Sequence, residues 1–289
     1  MAQTRLIKRR IHSAKNISKI TKAMEMVSAS KMRRAQDQVL ASRPYISKLS
    51  ESLAGVANLT DPSLHPLLQP HPTGKPLFII VSTDRGLCGG LNTNLFKLAT
   101  LHSTELPDFA TIVIGKKARE FVSRQGWDIV ASFTDLPERI QFQDIIPLSE
   151  IIIPGFLGDE FSSVDFVYMR FISTLSQEPT VTTLLPLQNI EPTLALGNKK
   201  IFTKQYIFEP SPQAILDSLL PAYIEFQIFQ ILLDARASEH SARMIAMQNA
   251  SNNAKEIVEG LQLEYNKSRQ AAITTELIEI NTANLALIG

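Results

Sequence analysis

The segment with the most chemical promise is Ser82-Thr83-Asp84-Arg85-Gly86-Leu87-Cys88-Gly89-Gly90-Leu91-Asn92. Glycine-rich loops between a strand and a helix cradle phosphates, because backbone N–H groups and the helix N-terminus point at the anion. This loop has neither GxxxxGK followed by Ser or Thr nor GxGxxG, and no lysine stands where it could hold a β- or γ-phosphate. The plainer reading is a tight turn whose glycines allow close packing. Cys88 could serve as a nucleophile, but no histidine or other base lies nearby to activate it, and a buried thiol is the simpler reading. A single cysteine also excludes an intrachain disulfide and a cysteine-based zinc site. His12, His65, His71, His102 and His240 show no HxxxH or HExxH spacing. Asp135 with Glu138, and Asp159 with Glu160, sit in surface-type contexts with nothing to mark an acid/base pair. No catalytic residue, metal or cofactor is expected.

A second cluster lies near the C-terminus, in Asn266-Lys267-Ser268-Arg269-Gln270-Ala271-Ala272-Ile273-Thr274-Thr275-Glu276. Arg269, Gln270, Thr274 and Glu276 occupy adjacent turns of one helix. Long donors and acceptors there could hold a partner's loop through charge-assisted hydrogen bonds. They could equally form a solvated face with i,i+3 and i,i+4 pairs.

The charge distribution also points to partners. The 289 residues carry 29 Lys and Arg against 28 Asp and Glu, a formal net charge of +1. Residues 1–43 nevertheless hold eleven basic and two acidic residues, so a segment of +9 precedes a remainder of −8. The basic face comprises Lys15, Lys19, Lys22, Lys31, Arg33 and Arg34. Such an arm either meets an anionic partner or is a solvated helix face. With 44% hydrophobic and 20% charged residues there is material for a packed core. No apolar stretch approaches the roughly 18–20 residues that span a bilayer, and the polar, basic N-terminus lacks the apolar run of a secretory signal.

The elements that position these residues follow from periodicity. Residues 2–43 contain no Pro or Gly, and Leu6, Ile7, Ile11, Ala14, Ile17, Ile20, Met24 and Val27 recur at helical spacing. This narrow stripe predicts a coiled-coil seam. Apolar spacing resumes after Pro44, which implies a kink or a first-turn proline. Residues 59–76 read as a linker. Leu77–Ser82, Thr111–Ile114, Trp127–Ser132 and Val164–Phe171 predict strands, with helices at Leu91–Ser103, Lys116–Gln125 and Asp144–Gly158. Thr180–Leu187 and Lys200–Phe208 could add strands. Alternating strands and helices imply a mostly parallel sheet. Residues 213–288 are helical again, with Leu219, Tyr223, Phe226, Phe229, Leu233, Met244, Met247, Ala250, Ala254, Ile257 or Val258, Leu261 and Tyr265 in step. At 1.5 Å per residue about 70 residues of this helix span roughly 105 Å, and the first helix roughly 60–80 Å. The economical fold is α/β: an antiparallel coiled coil of the N- and C-terminal helices with a Rossmann-like α/β domain inserted. The expected divisions are 1–58, 59–76, 77–209 and 210–289.

Three stretches carry a resemblance. Ile11-His12-Ser13-Ala14-Lys15-Asn16-Ile17-Ser18-Lys19-Ile20-Thr21-Lys22-Ala23-Met24-Glu25-Met26-Val27 closely resembles the N-terminal helix of the gamma subunits of F-type ATP synthases. The loop Ser82–Asn92 resembles that family's central signature, and Leu263–Leu277 resembles its C-terminal signature. The resemblance covers essentially the whole chain in the family's order. It implies a non-catalytic central rotor stalk whose coiled coil turns inside the alpha3–beta3 ring. The inserted domain would sit on the c-ring with epsilon, and delta would belong to the same F1 assembly. Ion flow turns the c-ring, and the asymmetric shaft drives each beta subunit through its nucleotide states; neither cofactor nor nucleic acid is implied.

Residue by residue, the resemblance implies that Arg269, Gln270 and Thr274 engage catch loops of beta, that Met24 and Arg243 face an acidic beta loop, and that Tyr206, Phe208 and Glu209 meet epsilon and the c-ring. Asn281-Thr282-Ala283-Asn284 is more polar than the family's usual small-residue tail. The inserted domain lacks the cysteine pair of the chloroplast thiol switch. Met1 leads directly into the helix, which implies a bacterial source and a peripheral place on the cytoplasmic face of the inner membrane. Two other classes compete on residues alone. A nucleic-acid-binding coiled coil would use the basic arm on phosphates, but no RRM, HTH or aromatic-basic pattern is present. A Rossmann-like enzyme would need the missing phosphate fingerprint.

Overall fold

The computed structural model describes residues 2–57, 65–106, 108–187 and 211–288. In chain order the elements are α1 (Ala2–Ala57), β1 (Lys75–Val81), α2 (Leu91–Ser103), β2 (Ala110–Ile114), α3 (Lys116–Gln125), β3 (Ile129–Phe133), α4 (Ile146–Leu157), β4 (Phe161–Phe171), β5 (Gln177–Leu185) and α5 (Pro212–Ile288). Short 3-10 turns occupy Pro66–Leu68 and Phe142–Ile145. The chain divides into two compact units, Ser30–Ala242 and Met1–Ala29 with Arg243–Gly289.

The larger unit is built on a five-stranded sheet of order β3-β2-β1-β4-β5. The first four strands run parallel, and β5 pairs antiparallel with β4 at the edge. Both faces are covered, which is why the inner strands are nearly continuous apolar runs. On β1, Leu77, Ile79 and Val81 face a core completed by α4, α5 and α1, through Ile152, Phe156, Leu220, Ile224 and Leu53. Phe78 and Ile80 face the other layer, where Leu95 and Ala99 of α2 and Ala118 and Val122 of α3 close over them. Each fully buried Leu, Ile or Phe contributes roughly 1.5–3 kcal/mol.

Most predicted elements appear within two or three residues of their expected bounds. β1 begins at Lys75, so Pro76 lies in a central strand. It is tolerated because the register with β4 shifts between Lys75 and Pro76, where a lost N–H breaks no ladder bond. Thr180–Leu187 corresponds to β5. The expected strand at Lys200–Phe208 lies outside the described residues. α1 runs unbroken through Pro44, so the proline neither starts nor ends a helix. Part of α5 within Gln213–Asn284 is, by length and composition, apolar enough to cross a membrane, contrary to the reading of the sequence. Leu216, Leu220, Ile224, Ile228, Ile231 and Leu232 of this helix belong to the sheet's core, so its apolarity is that of a core helix.

Winding β1-α2-β2-α3-β3 proceeds to one side of β1. Then α4, on the opposite face, returns the chain past β1 to β4. The tightest turn in this path is at Gly115, with φ of 94°. A Cβ there would stand 2.4 Å from the carbonyl oxygen of Ser82. Gly115→Ala is expected to destabilise the larger unit by about 2–4 kcal/mol, from backbone strain plus displacement of β1. The check is urea unfolding followed by fluorescence of the single tryptophan, Trp127, which packs edge-on against Phe109 and Phe121 on that layer.

His65 fastens the segment before β1. Its Nδ1 accepts the Leu67 N–H at 3.2 Å, and its Nε2 lies 3.4 Å from Asp217 of α5. Burial pushes the imidazole below its ordinary 6.5, with Asp217 opposing. The unfolded chain therefore binds the proton more readily. Stability should be full above pH 6.5 and decline as pH falls through it. Melting temperatures from pH 8 to 5.5 check this, and His65→Gln should flatten the decline.

In the smaller unit α1 and α5 pair antiparallel. The Ser18 hydroxyl donates to the Ser251 carbonyl at 3.5 Å, and the Ser251 hydroxyl donates to the Ser18 carbonyl at 3.4 Å. The seam departs from the expected stripe. Ile7, Ile11 and Ala14 are buried as expected, but the row continues through Thr21 and Ser28, while Ile17, Ile20 and Val27 are 54–59% exposed. The buried row keeps a strict 3.5-residue average, whereas the largest apolar residues drift off it. Small side chains at Ala14, Ser18 and Ser251 let the backbones approach closely enough for hydroxyl-to-carbonyl bonds between helices. On α5 the row is Met247, Ser251 and Ala254, continued by half-buried Val258, Leu261 and Tyr265, with Ile257 exposed.

Candidate partner-binding surfaces

Strand order reverses between β1 and β4, where a doubly wound sheet opens a ligand crevice beyond its carboxyl ends. Here the chain fills that crevice itself. Ser82 Oγ accepts the Ala118 N–H at 2.6 Å, and Asp84 Oδ1 accepts the Lys116 N–H at 3.0 Å. These two side chains take the place of an anion at the N-terminus of α3. Asn92 ties the loop's two ends together by donating to Thr83 Oγ1 at 2.7 Å. From above, α5 lowers Arg236 onto the loop: its guanidinium lies 3.7 Å from Asp84, donates to Glu239 at 2.9 Å and donates to the Leu136 carbonyl at 3.0 Å. The remaining cavity is about 20 Å³, room for one water and not for a nucleotide. Cys88 is buried and accepts an N–H from Asn92. The signature loop is thus a structural lock. Arg236 escaped the sequence reading because Asp84 lies in a distant stretch of the chain and no motif joins them.

The surfaces left open belong to the helices. In the smaller unit, about 100° per residue places the row Lys15, Lys19 and Lys22 and the row Leu6, Ile17 and Met24 about 180° apart, on opposite flanks of the seam. One flank is cationic and exposed. The other is apolar, with Leu6 exposed and Met24 half-buried. Lys22 is paired with Glu25 at 2.9 Å. Glu25 stands in the seam row, and its second carboxylate oxygen is buried without a partner.

Arg243 is half-buried in the smaller unit, and Arg269, Gln270 and Thr274 are exposed there. The Thr274 hydroxyl donates to the Gln270 carbonyl at 3.0 Å, so only Arg269 and Gln270 offer free side-chain ends. Arg243 and Arg269 are separated along α5 by about 39 Å, so the candidates form two patches and not one site. From Ile273 to Asn284 the helix is exposed on every side, including Ile273, Leu277, Ile278 and Ile280. In the larger unit Lys31 binds Glu138 at 2.8 Å, and Arg33 and Arg34 are exposed. Tyr206, Phe208 and Glu209 lie outside the described residues.

Comparison with known proteins matches this architecture. A family model described as ATP synthase matches residues 3–287. An ATP synthase gamma chain of Herpetosiphon aurantiacus is 44% identical over 299 residues, covering 99% of each chain. One from Akkermansia muciniphila is 42% identical over 294 residues, covering 99% of this chain and all of that one. Among solved structures, a chain of the Euglena gracilis mitochondrial ATP synthase rotor superimposes with a TM-score of 0.65 over 94% of this chain and 99% of that one, at 19% identity. A second Euglena structure, of the OSCP/F1/c-ring assembly, gives 0.68 over 99% and 95%, at 20% identity; at such identities the likeness is one of fold. With relatives above 40% identical end to end, a helix pair built on a small-residue seam and an α/β unit whose ligand crevice is closed by its own arginine, the chain belongs to the ATP synthase gamma-chain family.

Proposed function

We propose that this chain is the central rotor stalk of a bacterial F-type ATP synthase, coupling ion-driven rotation of the c-ring to sequential conformational change in the beta subunits. The observation that carries this reading is the bare end of α5. A single helix with Ile273, Leu277, Ile278 and Ile280 exposed around its circumference needs an enclosing partner, since isolated apolar surface of that kind is a liability in water. An alpha3–beta3 sleeve is such a partner. The two flanks of α1 supply the asymmetry that rotary coupling requires. A cationic flank and an apolar flank bind a given beta conformer with different free energies, and only a difference shifts a population.

In this reading Arg269, Gln270 and Thr274 engage beta catch loops, Met24 and Arg243 face an acidic beta loop, and Lys15, Lys19, Lys22, Lys31, Arg33 and Arg34 form the basic face toward acidic partners. Tyr206, Phe208 and Glu209 meet epsilon and the c-ring. The working divisions are the helix 1–58, the linker 59–76, the inserted domain 77–209 and the helix 210–289. Delta completes the F1 assembly. The chain reaches the membrane only through the complex, at the cytoplasmic face of the inner membrane. Chemistry resides in beta, in keeping with a crevice filled by Arg236. Affinity purification tests the reading: alpha, beta and epsilon should accompany the tagged chain, with or without nuclease. Recovery without alpha, beta or epsilon would count against it.

A further inference from the structure

A groove of about 570 Å³ opens in the larger unit between α1, α5 and the turn that carries Glu138 and Arg139. That volume lies within the range of small-molecule sites. Its walls combine an apolar floor, Ala35, Ile140 and Leu233, with a charged rim on which Lys31, Arg34 and Arg139 outnumber Asp37 and Glu138. Arg34 and Arg139 are exposed. Arg34 makes one neutral hydrogen bond, to the Ser30 hydroxyl at 3.2 Å, so its charge is unopposed by a carboxylate at contact distance. On the rim Lys31 pairs with Glu138, at 2.8 Å. The lysine's hydrogen bond holds the Glu138 carboxyl below the usual carboxylate range, and the neighbouring His240 and Arg34 act in the same direction. Glu138 is 52% exposed on a surface turn, so little besides this pairing fixes it over the groove.

We propose that this groove binds an organic diphosphate of nucleotide size, with Glu138 occupying in the empty state the position that a phosphate takes in the bound one. Arg34 and Arg139 both line the groove and carry planar donor forks suited to phosphate. Lys31 exchanges its carboxylate partner for a phosphate oxygen, and the apolar floor receives the ligand's uncharged body. A second hollow, of about 550 Å³, lies against Arg5, Lys8, Arg9, His12 and Ser13 of α1 in the smaller unit; its lining has charge but no apolar residue to receive a ligand's uncharged body. The site shares Lys31 and Arg34 with the basic face proposed above but uses neither the bare end of α5 nor any catch-loop residue, so its failure and that of the rotor reading are distinguishable.

The test is isothermal titration of the full-length chain with ADP and, separately, with pyrophosphate. The expected result is one saturable site for ADP, with pyrophosphate weaker because it leaves the floor uncovered. Glu138→Gln should tighten ADP binding about three- to tenfold by removing the internal competitor. Arg34→Ala and Arg139→Ala should each weaken it about tenfold or more. Both arginines are exposed, so these variants keep the fold, checked by Trp127 fluorescence. Three outcomes would overturn the proposal: no saturable binding to the native chain or to Glu138→Gln; binding unchanged in both arginine variants; or binding abolished instead by Arg9→Ala, which would place the anion on the N-terminal basic surface.

Discussion

Alanine at both Arg269 and Gln270 should leave the chain folded and cut ATP-driven ion pumping by the assembled complex about tenfold or more. The two side chains are exposed, and neither has a hydrogen-bond partner for its terminal atoms among the described residues; Gln270 contributes only its backbone carbonyl, to Thr274. Their removal therefore costs the isolated chain almost nothing. If they hold a loop of beta, each lost charge-assisted or neutral hydrogen bond is worth roughly 1–3 kcal/mol at the interface. The loss should be larger in pumping than in ATP hydrolysis, because a slipping contact lets nucleotide turn over without transmitting torque. Inverted vesicles loaded with a pH-sensitive dye measure this directly. Pumping equal to that of the native complex would remove both residues from the coupling surface. Thr274→Ala should have a smaller effect, since its hydroxyl is already spent on its own helix.

The second large effect is on stability. Arg236→Ala should lower the melting temperature of the larger unit by about 5–12 °C, corresponding to about 2–4 kcal/mol. The guanidinium is 15% exposed and faces Asp84 and Glu239, themselves 16% and 7% exposed. Deleting it leaves two carboxylates in a poorly solvated place, each repelling the other, and orphans the Leu136 carbonyl. The damage is local to the crevice at the carboxyl ends of β1 and β2. It should therefore appear in Trp127 fluorescence, while the helical signal of the smaller unit melts as before. Arg236→Met, which keeps the stem's packing without the charge, should recover only a minor part. A shift under about 2 °C would mean that water already serves these carboxylates and that the lock is dispensable.

How far the residues themselves announce this structure depends on what kind of signal each part leaves. The inner strands are legible because two-sided burial demands runs such as Leu77-Phe78-Ile79-Ile80-Val81, and helices α2 and α3 because Gly90 and Gly115 mark their starts. The seam of the smaller unit is only half legible. Ile7, Ile11 and Ala14 are apolar and buried, but Ser18, Thr21 and Ser28 continue the row where Ile17, Ile20 and Val27 look more attractive. Hydrophobicity misleads at this point, because close approach of two backbones rewards small side chains, and the large apolar ones are left outward for another molecule. Counting strictly in sevens from Ile7 would have found the true row. The closure of the crevice is illegible, since it depends on Arg236 meeting Asp84 from an element far along the chain. The candidate contact residues came from the resemblance of the terminal helices to gamma subunits. Spacing alone left Arg269 and Gln270 as either a binding patch or a solvated face.

The most direct test of the whole account is to watch the chain move. A fluorophore on a cysteine introduced into the exposed surface of α3, with Cys88 replaced by serine, would be followed in single surface-anchored complexes held by their beta subunits during ATP hydrolysis. A central stalk turns continuously in one direction, in threefold steps that follow the beta subunits. A label that stays fixed relative to beta while ATP is consumed would contradict it.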